Sequence, residues 1–141
     1  MSAENKKPSA RILLVDDEKS LRETLRRILE EDGDLHVETC GDGNAALEVF
    51  RSGDFDAVVT DNNMPGEMSG VELLKEIQEL VQRGRQGVVV TVLMTGKAEA
   101  AKDEMKKLDV TVDLFFDKTT SKHLGLEIRG KLRELLGLEN K

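Results

Sequence analysis

The hydrophobic positions of this chain change their spacing repeatedly along its length. Short apolar runs, several rich in β-branched residues, alternate with longer segments in which apolar residues recur every three or four positions. Runs of the first kind predict strands, and segments of the second kind predict amphipathic helices. The predicted strands cover residues 11–15, 36–40, 57–60, 88–94 and 110–116. Because a helical segment follows each strand, the pattern predicts an α/β fold with a doubly wound, five-stranded parallel sheet flanked by five helices.

Local signals refine three of the predicted helices. The pairs Ser20/Glu23 and Ser69/Glu72 both match the capping-box pattern that opens a helix. Residues 98–108 contain few large apolar side chains, so the fourth helix is expected to be loosely anchored. This helix is therefore a candidate mobile element.

Length and composition limit the possible classes of protein. The 141 residues correspond to one domain, expected at 11–137 with short tails at 1–10 and 138–141 and no output domain. The net charge of −7 does not suggest general nucleic-acid binding. Cys40 is the only cysteine, which excludes an internal disulfide and makes a reducing, cytoplasmic setting the default. The longest apolar run, residues 88–95, is too short to cross a membrane.

Polar side chains stand where four of the predicted strands end. Asp16 and Asp17 follow the first strand, Asp61 the third, Thr95 the fourth and Lys118 the fifth. Each residue alone is more typical of a solvated turn or strand end. In open parallel sheets, however, ligands bind outside the carboxyl ends of the strands. The joint placement of the five residues therefore predicts one shared site.

The residue types at this predicted site indicate phosphoryl-transfer chemistry. Three neighbouring carboxylates repel one another unless a cation neutralises them, and Mg²⁺ suits a site with a few carboxylate ligands and phosphate oxygens. The Lys118 ammonium and the Thr95 hydroxyl can both contact phosphoryl oxygens. The Asp61 carboxylate can attack phosphorus to form an aspartyl phosphate. Magnesium-dependent phosphoryl transfer to Asp61 is the predicted reaction.

Four motifs in the chain resemble those of response-regulator receiver domains in two-component signalling. They read LVDDE at residues 14–18, TDNNMPG at 60–66, MTG at 94–96 and FFDK at 115–118. The resemblance covers about residues 10–137 and implies a stand-alone receiver domain. It also implies the flavodoxin-like strand order 2-1-3-4-5.

The resemblance implies how the acidic residues work. Asp61 would accept a phosphoryl group from a histidine kinase or a phosphotransfer protein. Mg²⁺ would bind Asp16 or Asp17, Asp61 and the main-chain carbonyl of Asn63. The protein would be an enzyme only in catalysing its own phosphorylation and dephosphorylation.

The resemblance also implies a switch. Thr95 and Lys118 would contact the phosphoryl group, and Phe115 would be the aromatic residue whose position reports the switch. Asn63 and Lys97 lie where family members tune the lifetime of the phosphoryl group. The aspartyl phosphate would thus control a surface of the protein.

The expected output is an interaction with an unidentified downstream protein. It would use the face formed by the fourth helix, fifth strand and fifth helix, in a protein that is a monomer or a weak dimer. The basic residues predicted on this face are Lys97, Lys102, Lys106, Lys107, Lys122 and Arg129. An ordinary solvated basic face is the alternative interpretation.

Two departures from the family pattern leave other functions open. The family usually has a cis proline after the lysine, whereas here Thr119 follows Lys118. A non-proline cis bond costs about 2.5 to 4 kcal/mol, so a trans bond and a displaced Lys118 are predicted. The loop at residues 64–70 is also one residue longer than usual.

A phosphorylation-independent interaction module with the same fold is the first alternative function. A phosphate-ester hydrolase is less favoured, because Asn63 occupies the position where such enzymes usually carry an acid.

Overall fold

The computed structural model describes residues 9–64, 66, 68–84 and 87–138, and in these ranges five strands alternate with five helices. Most of the two predicted tails lies outside the described residues. The strands are β1 (Ala10–Val15), β2 (Leu35–Cys40), β3 (Ala57–Asp61), β4 (Val90–Thr95) and β5 (Leu114–Asp117). The helices are α1 (Lys19–Glu30), α2 (Gly43–Ser52), α3 (Gly70–Gln82), α4 (Ala98–Leu108) and α5 (Leu124–Leu136).

The strands form one parallel sheet in the order β2-β1-β3-β4-β5. This confirms the predicted fold and strand order. The register pairs Val15 with Thr60, and Thr95 with Asp117. The carboxyl ends of β1, β3, β4 and β5 therefore meet at the same edge of the sheet.

Two hydrophobic layers cover the sheet, one on each face. The first contains Phe50 of α2 and Ile77 of α3, and the second contains Leu29 of α1 and Leu132 of α5. All five residues of β3 are buried, as are five of the six in β1. Because helices cover both faces, the stretches 12–15 of β1 and 57–59 of β3 are continuous apolar runs rather than alternating ones. The site residues that follow them are carried on a rigid scaffold.

Two strands begin later than the hydrophobic pattern predicts. β4 starts at Val90, which pairs with Ala57, whereas Val88 is 93% exposed. β5 starts at Leu114 rather than at residue 110. The amide of Val110 instead donates to the carbonyl of Met105 and closes the end of α4. An apolar residue can thus terminate a helix as well as extend a strand, and its spacing alone does not distinguish the two.

One of the two predicted capping boxes is present. At the start of α3, Ser69 and Glu72 make both reciprocal hydrogen bonds. The prediction for Ser20 is wrong, because α1 already begins at Lys19 and Ser20 lies in its first turn. The Asp16 carboxylate accepts a hydrogen bond from the amide of Glu18 and so turns the chain into the helix early.

Of the helices in the described ranges, none combines the length and apolarity needed to cross a bilayer.

A buried ion pair holds α5 against the start of β2, far from the acidic residues. Arg133 is 2% exposed, and its guanidinium makes two hydrogen bonds to Asp34, of 2.5 and 2.8 Å. Asp34 also precedes β2, and its carbonyl accepts from the amide of Ala10. Such a planar, two-point contact is specific to arginine. It fixes the amino-terminal edge of the sheet.

Replacing Arg133 with Met should destabilise the protein strongly. The change leaves the Asp34 carboxylate buried beside an apolar side chain, which costs about 3 to 5 kcal/mol when one partner of a buried pair is removed. Urea unfolding of Arg133→Met and of the double variant with Asp34→Asn would measure the effect. The double variant should recover part of the loss, and an unchanged unfolding free energy for the single variant would contradict the prediction.

Candidate functional site

Three carboxylates gather at the carboxyl edge of the sheet. Asp16 and Asp17 follow β1 and Asp61 ends β3, and one oxygen of each lies within 4.8 Å of the others. Asp16 is 1% exposed and Asp61 is 4% exposed, whereas Asp17 is exposed to solvent. Oxygen ligands in this number and spacing can hold a hard divalent cation.

The backbone that follows Asp61 is held tightly. The amide of Asn62 donates to the carbonyl of Met94 at 3.0 Å, and the amide of Gly70 donates to the carbonyl of Asn62 at 3.1 Å. A Cβ atom on Gly70 would overlap the carbonyl oxygen of Asp61. Only glycine therefore permits this close approach between the start of α3 and the end of β3.

Asp16 is oriented by its neighbours. Its Oδ1 accepts from the amide of Glu18 at 2.9 Å, and its carbonyl accepts from the Arg22 guanidinium at 2.7 Å. Its own amide donates to the carbonyl of Cys40 at 3.1 Å. These contacts leave Oδ2 pointing toward the interior of the site, where it meets Lys118.

Lys118 carries the positive charge at the centre of the site. Its Nζ lies 3.1 Å from Asp16 Oδ2 and 3.1 Å from Asp61 Oδ1. The bond to Thr119 is trans, as predicted, since the described residues contain no cis peptide bond. The predicted displacement of Lys118 is not observed, because the trans backbone still brings the ammonium between the two carboxylates.

The surroundings change the proton affinity of both charged groups. Burial raises the pKa of Asp61, Lys118 opposes this shift, and Asp16 and Asp17 add to it by repulsion. Burial alone would lower the pKa of Lys118, but the attraction of Asp61 and Asp16 raises it above its ordinary value. One ammonium therefore does not fully compensate the acidic cluster, which favours the arrival of a further cation.

The other predicted site residues are Thr95, Phe115, Asn63 and Lys97. Thr95 is fully buried, its Oγ1 accepts from the amide of Lys97 at 2.9 Å, and its carbonyl accepts from the amide of Lys118 at 2.8 Å. Phe115 is half-buried against the core layer of α2, α3 and α4. Asn63 and Lys97 are exposed, and their effect on a phosphoryl lifetime stays a prediction.

The predicted basic face needs one correction. Lys102 of α4 lies over the ring of Phe115, with Nζ 5.4 Å from the ring centroid, as expected for the α4-β5 side. Arg129 does not belong to that side. Its guanidinium donates to the carbonyl of Ile28 and to Glu31, both of which belong to the α1 region. Position 129 therefore faces α1.

Two functional contacts were absent from the sequence interpretation. Glu104 of α4 accepts hydrogen bonds from the Asn62 amide group at 3.2 Å and from the Ser69 hydroxyl at 2.6 Å. Asn62 is 3% exposed, and its Oδ1 accepts from the amide of Val71. The loosely packed α4 is thus joined directly to the residue after Asp61. No local signal predicts a pairing across 42 residues.

Comparison with known proteins gives a consistent result. The family described as "Response regulator receiver domain" matches residues 12–128. Chemotaxis protein CheY-3 of Vibrio cholerae is 44% identical over 68 residues, which are 48% of this chain and 52% of that protein. Transcriptional regulatory protein TcrA of Mycobacterium tuberculosis is 36% identical over 108 residues, 77% of this chain and 40% of that protein. The chain spans about half the length of the curated relatives it matches.

Solved structures show the same similarity. Response regulator protein TrrA of Thermotoga maritima, in complex with Mg(2+)-BeF, superposes with a TM-score of 0.72 at 31% identity, covering 89% of this chain and 98% of that one. A CheY-like response regulator receiver domain protein of Methanospirillum hungatei gives a TM-score of 0.75 at 25% identity, covering 92% and 94%.

Replacing Asp61 with Asn should stabilise the metal-free protein at neutral pH. The raised pKa of Asp61 means that the folded state holds this proton more tightly than the unfolded chain. That stabilisation is complete below the unfolded pKa and is lost as the pH rises through the folded pKa, whereas Asn stays neutral throughout. We expect a gain in unfolding free energy at neutral pH, because Asn removes a buried charge, and none at about pH 3.

Chemical unfolding in EDTA at both pH values measures this difference. The exposed Asp54, replaced by Asn, is the matched control and should show no such pH-dependent gain. A loss of stability in Asp61→Asn at neutral pH would contradict the electrostatic account.

Replacing Glu104 with Ala should loosen α4. The change removes acceptors for Asn62 and Ser69, which costs about 1 to 2 kcal/mol and leaves the buried Asn62 amide without this partner. Hydrogen exchange should accelerate in α4 more than in α3. Asp103→Ala, at the exposed neighbouring position, is the control. Equal exchange rates in the two variants would show that Glu104 does not hold the helix.

Proposed function

This chain belongs to the response regulator receiver domain family, and on that premise we propose that it is a signalling switch phosphorylated on Asp61. The phosphoryl donor is a histidine kinase or a phosphotransfer protein. The output is an interaction with a downstream protein in the cytoplasm. Any catalysis is confined to the protein's own phosphorylation and dephosphorylation.

The observation that carries the proposal is the placement of Lys118 against Asp61 within the acidic cluster. A carboxylate oxygen of Asp61 attacks the phosphorus of a phosphohistidine. The O–P bond forms as the P–N bond breaks, and the imidazole leaves with its electron pair and takes up a proton. Lys118 neutralises the negative charge that develops on the phosphoryl oxygens. Such charge neutralisation is the main contribution of positioned cations to phosphoryl transfer.

The acidic cluster fits magnesium by the chemistry of its donors. We propose that the carboxylates of Asp16, Asp17 and Asp61 and the carbonyl of Asn63 hold the ion, which neutralises charge at the reacting phosphoryl group. The raised pKa of Asp61, caused by burial and by repulsion from Asp16 and Asp17, supports this, because Lys118 compensates the acidic cluster only in part. The similarity to TrrA, which was crystallised with Mg(2+)-BeF, supports it independently.

Thr95 and Phe115 form the proposed relay to the surface. The Thr95 hydroxyl, which accepts from Lys97 in the structure, would turn and donate to the phosphoryl group. The space it leaves would admit the Phe115 ring, which lies on the neighbouring strand. Asn63 and Lys97, both exposed, would set how readily water reaches the aspartyl phosphate.

The proposed output surface includes a groove between β5 and α5. It has a volume of about 450 Å³ and is lined by apolar and charged side chains, among them Phe116, Leu126 and Lys131. Leu126 is 50% exposed there. An exposed leucine beside a groove suits a partner that presents an apolar side chain.

Phosphorylation by a small donor tests the proposal. Incubation with acetyl phosphate and MgCl₂, followed by intact-mass measurement, should show one phosphoryl group on the wild type and none on Asp61→Asn or in EDTA. Asp54→Asn should be modified like the wild type. Lys118→Ala should slow the reaction roughly 100-fold, the typical effect of losing one transition-state contact.

Other outcomes discriminate the alternatives. If the wild type acquires no adduct, the proposal is overturned and a phosphorylation-independent interaction module is favoured. Steady turnover of an aryl phosphate would instead favour a hydrolase.

A further inference from the structure

β5 ends just before Lys118, in a tight turn built from side chains. Asp117 Oδ1 accepts from the amide of Thr119 at 2.9 Å and from the Thr119 hydroxyl at 2.6 Å. The carbonyl of Asp117 accepts from the amides of Thr120 and Ser121, at 3.2 and 3.1 Å. An aspartate that binds the backbone two residues later fixes the conformation of the residue between them. That residue is Lys118.

Lys118 is therefore held at its backbone from two directions. Its amide donates to the carbonyl of Thr95 on β4, and the Asp117–Thr119 contacts close the turn on its other side. The lysine side chain is long and flexible, so the reach of its ammonium depends on where its Cα is anchored. A displacement of 1 Å in such a site can cost about 100-fold in rate.

The contacts depend on the residue types found here. Thr119 donates one hydrogen bond from its backbone amide and one from its hydroxyl. Proline has no amide hydrogen and could not donate the first of these. The same two contacts lower the pKa of Asp117, so they bind its carboxylate form. The turn is thus held by the charged carboxylate of Asp117 and its two donors on Thr119. Lys118 lies between these two residues.

We propose that Asp117 and Thr119 are positioning residues for Lys118, and that their turn brings its ammonium to Asp16 and Asp61. Neither residue touches the reacting atoms. The inference rests on the proposed phosphorylation of Asp61, and it explains how this chain retains the contact of Lys118 with a threonine at position 119.

Three variants test this positioning role. Thr119→Val keeps the shape and the amide but loses the hydroxyl, Thr119→Ser keeps both donors, and Asp117→Ala removes the acceptor. Thr24→Val, an exposed threonine on α1, is the matched control. The first readout is the Lys118 Nζ signal by NMR in the unphosphorylated protein. The second is the rate of phosphorylation by acetyl phosphate with Mg²⁺.

We expect Thr119→Val and Asp117→Ala to slow phosphorylation roughly tenfold, an intermediate positioning effect. In both variants the Lys118 signal should shift toward those of exposed lysines and exchange faster with water. Thr119→Ser should restore both readouts, and Thr24→Val should match the wild type. A merely structural role would lower the unfolding free energy without moving the Lys118 signal.

The inference is overturned if the Lys118 signal stays unchanged in both Thr119→Val and Asp117→Ala. It is also overturned if Thr119→Ser fails to restore the signal. If the wild type accepts no phosphoryl group, the proposed function fails, yet the NMR signal of Lys118 still decides whether the turn positions it. The two failures are therefore distinguishable.

Discussion

The attraction between the Lys118 ammonium and the carboxylates of Asp16 and Asp61 determines how this edge of the sheet can be built. Without a cation between them, the buried acids would repel one another, and burial would favour their protonated forms. A single ammonium satisfies the cluster only in part, as the raised pKa of Asp61 shows. The remaining negative charge favours the binding of a further cation at this edge. Stability and chemistry at this edge depend on the same balance of charges.

The rest of the structure divides into a rigid part and a weakly held part. β1 and β3 are buried between two layers of helices, and the Arg133–Asp34 pair joins α5 to the opposite edge of the sheet. By contrast, α4 buries a single residue, Ala101, and is joined to the site through the hydrogen bonds of Glu104. Polar contacts can be exchanged at small net cost, whereas a packed core resists displacement. We therefore expect α4, rather than the packed core, to be the element that shifts while the site stays in place.

The turn after β5 illustrates how local chemistry can substitute for a rigid residue. A proline restricts the backbone by its ring, whereas here the Asp117 carboxylate and two donors of Thr119 restrict it by hydrogen bonds. Hydrogen bonds of this kind are reversible and sensitive to charge. The position of Lys118 is consequently linked to a carboxylate that lies outside the acidic cluster.

The pattern of residues along the chain is enough to predict the alternation of strands and helices, the polar residues at the strand ends and the capping box of Ser69 and Glu72. These features depend on spacing over a few residues, or on the rule that parallel strands end at one edge. The three-dimensional packing, in contrast, places Arg129 against α1 and brings Glu104 to Asn62. It also places the Lys118 ammonium between the carboxylates of Asp16 and Asp61, although the peptide bond from Lys118 to Thr119 is trans. These contacts join residues 42 to 102 positions apart, and they depend on how the helices pack, which no local pattern records.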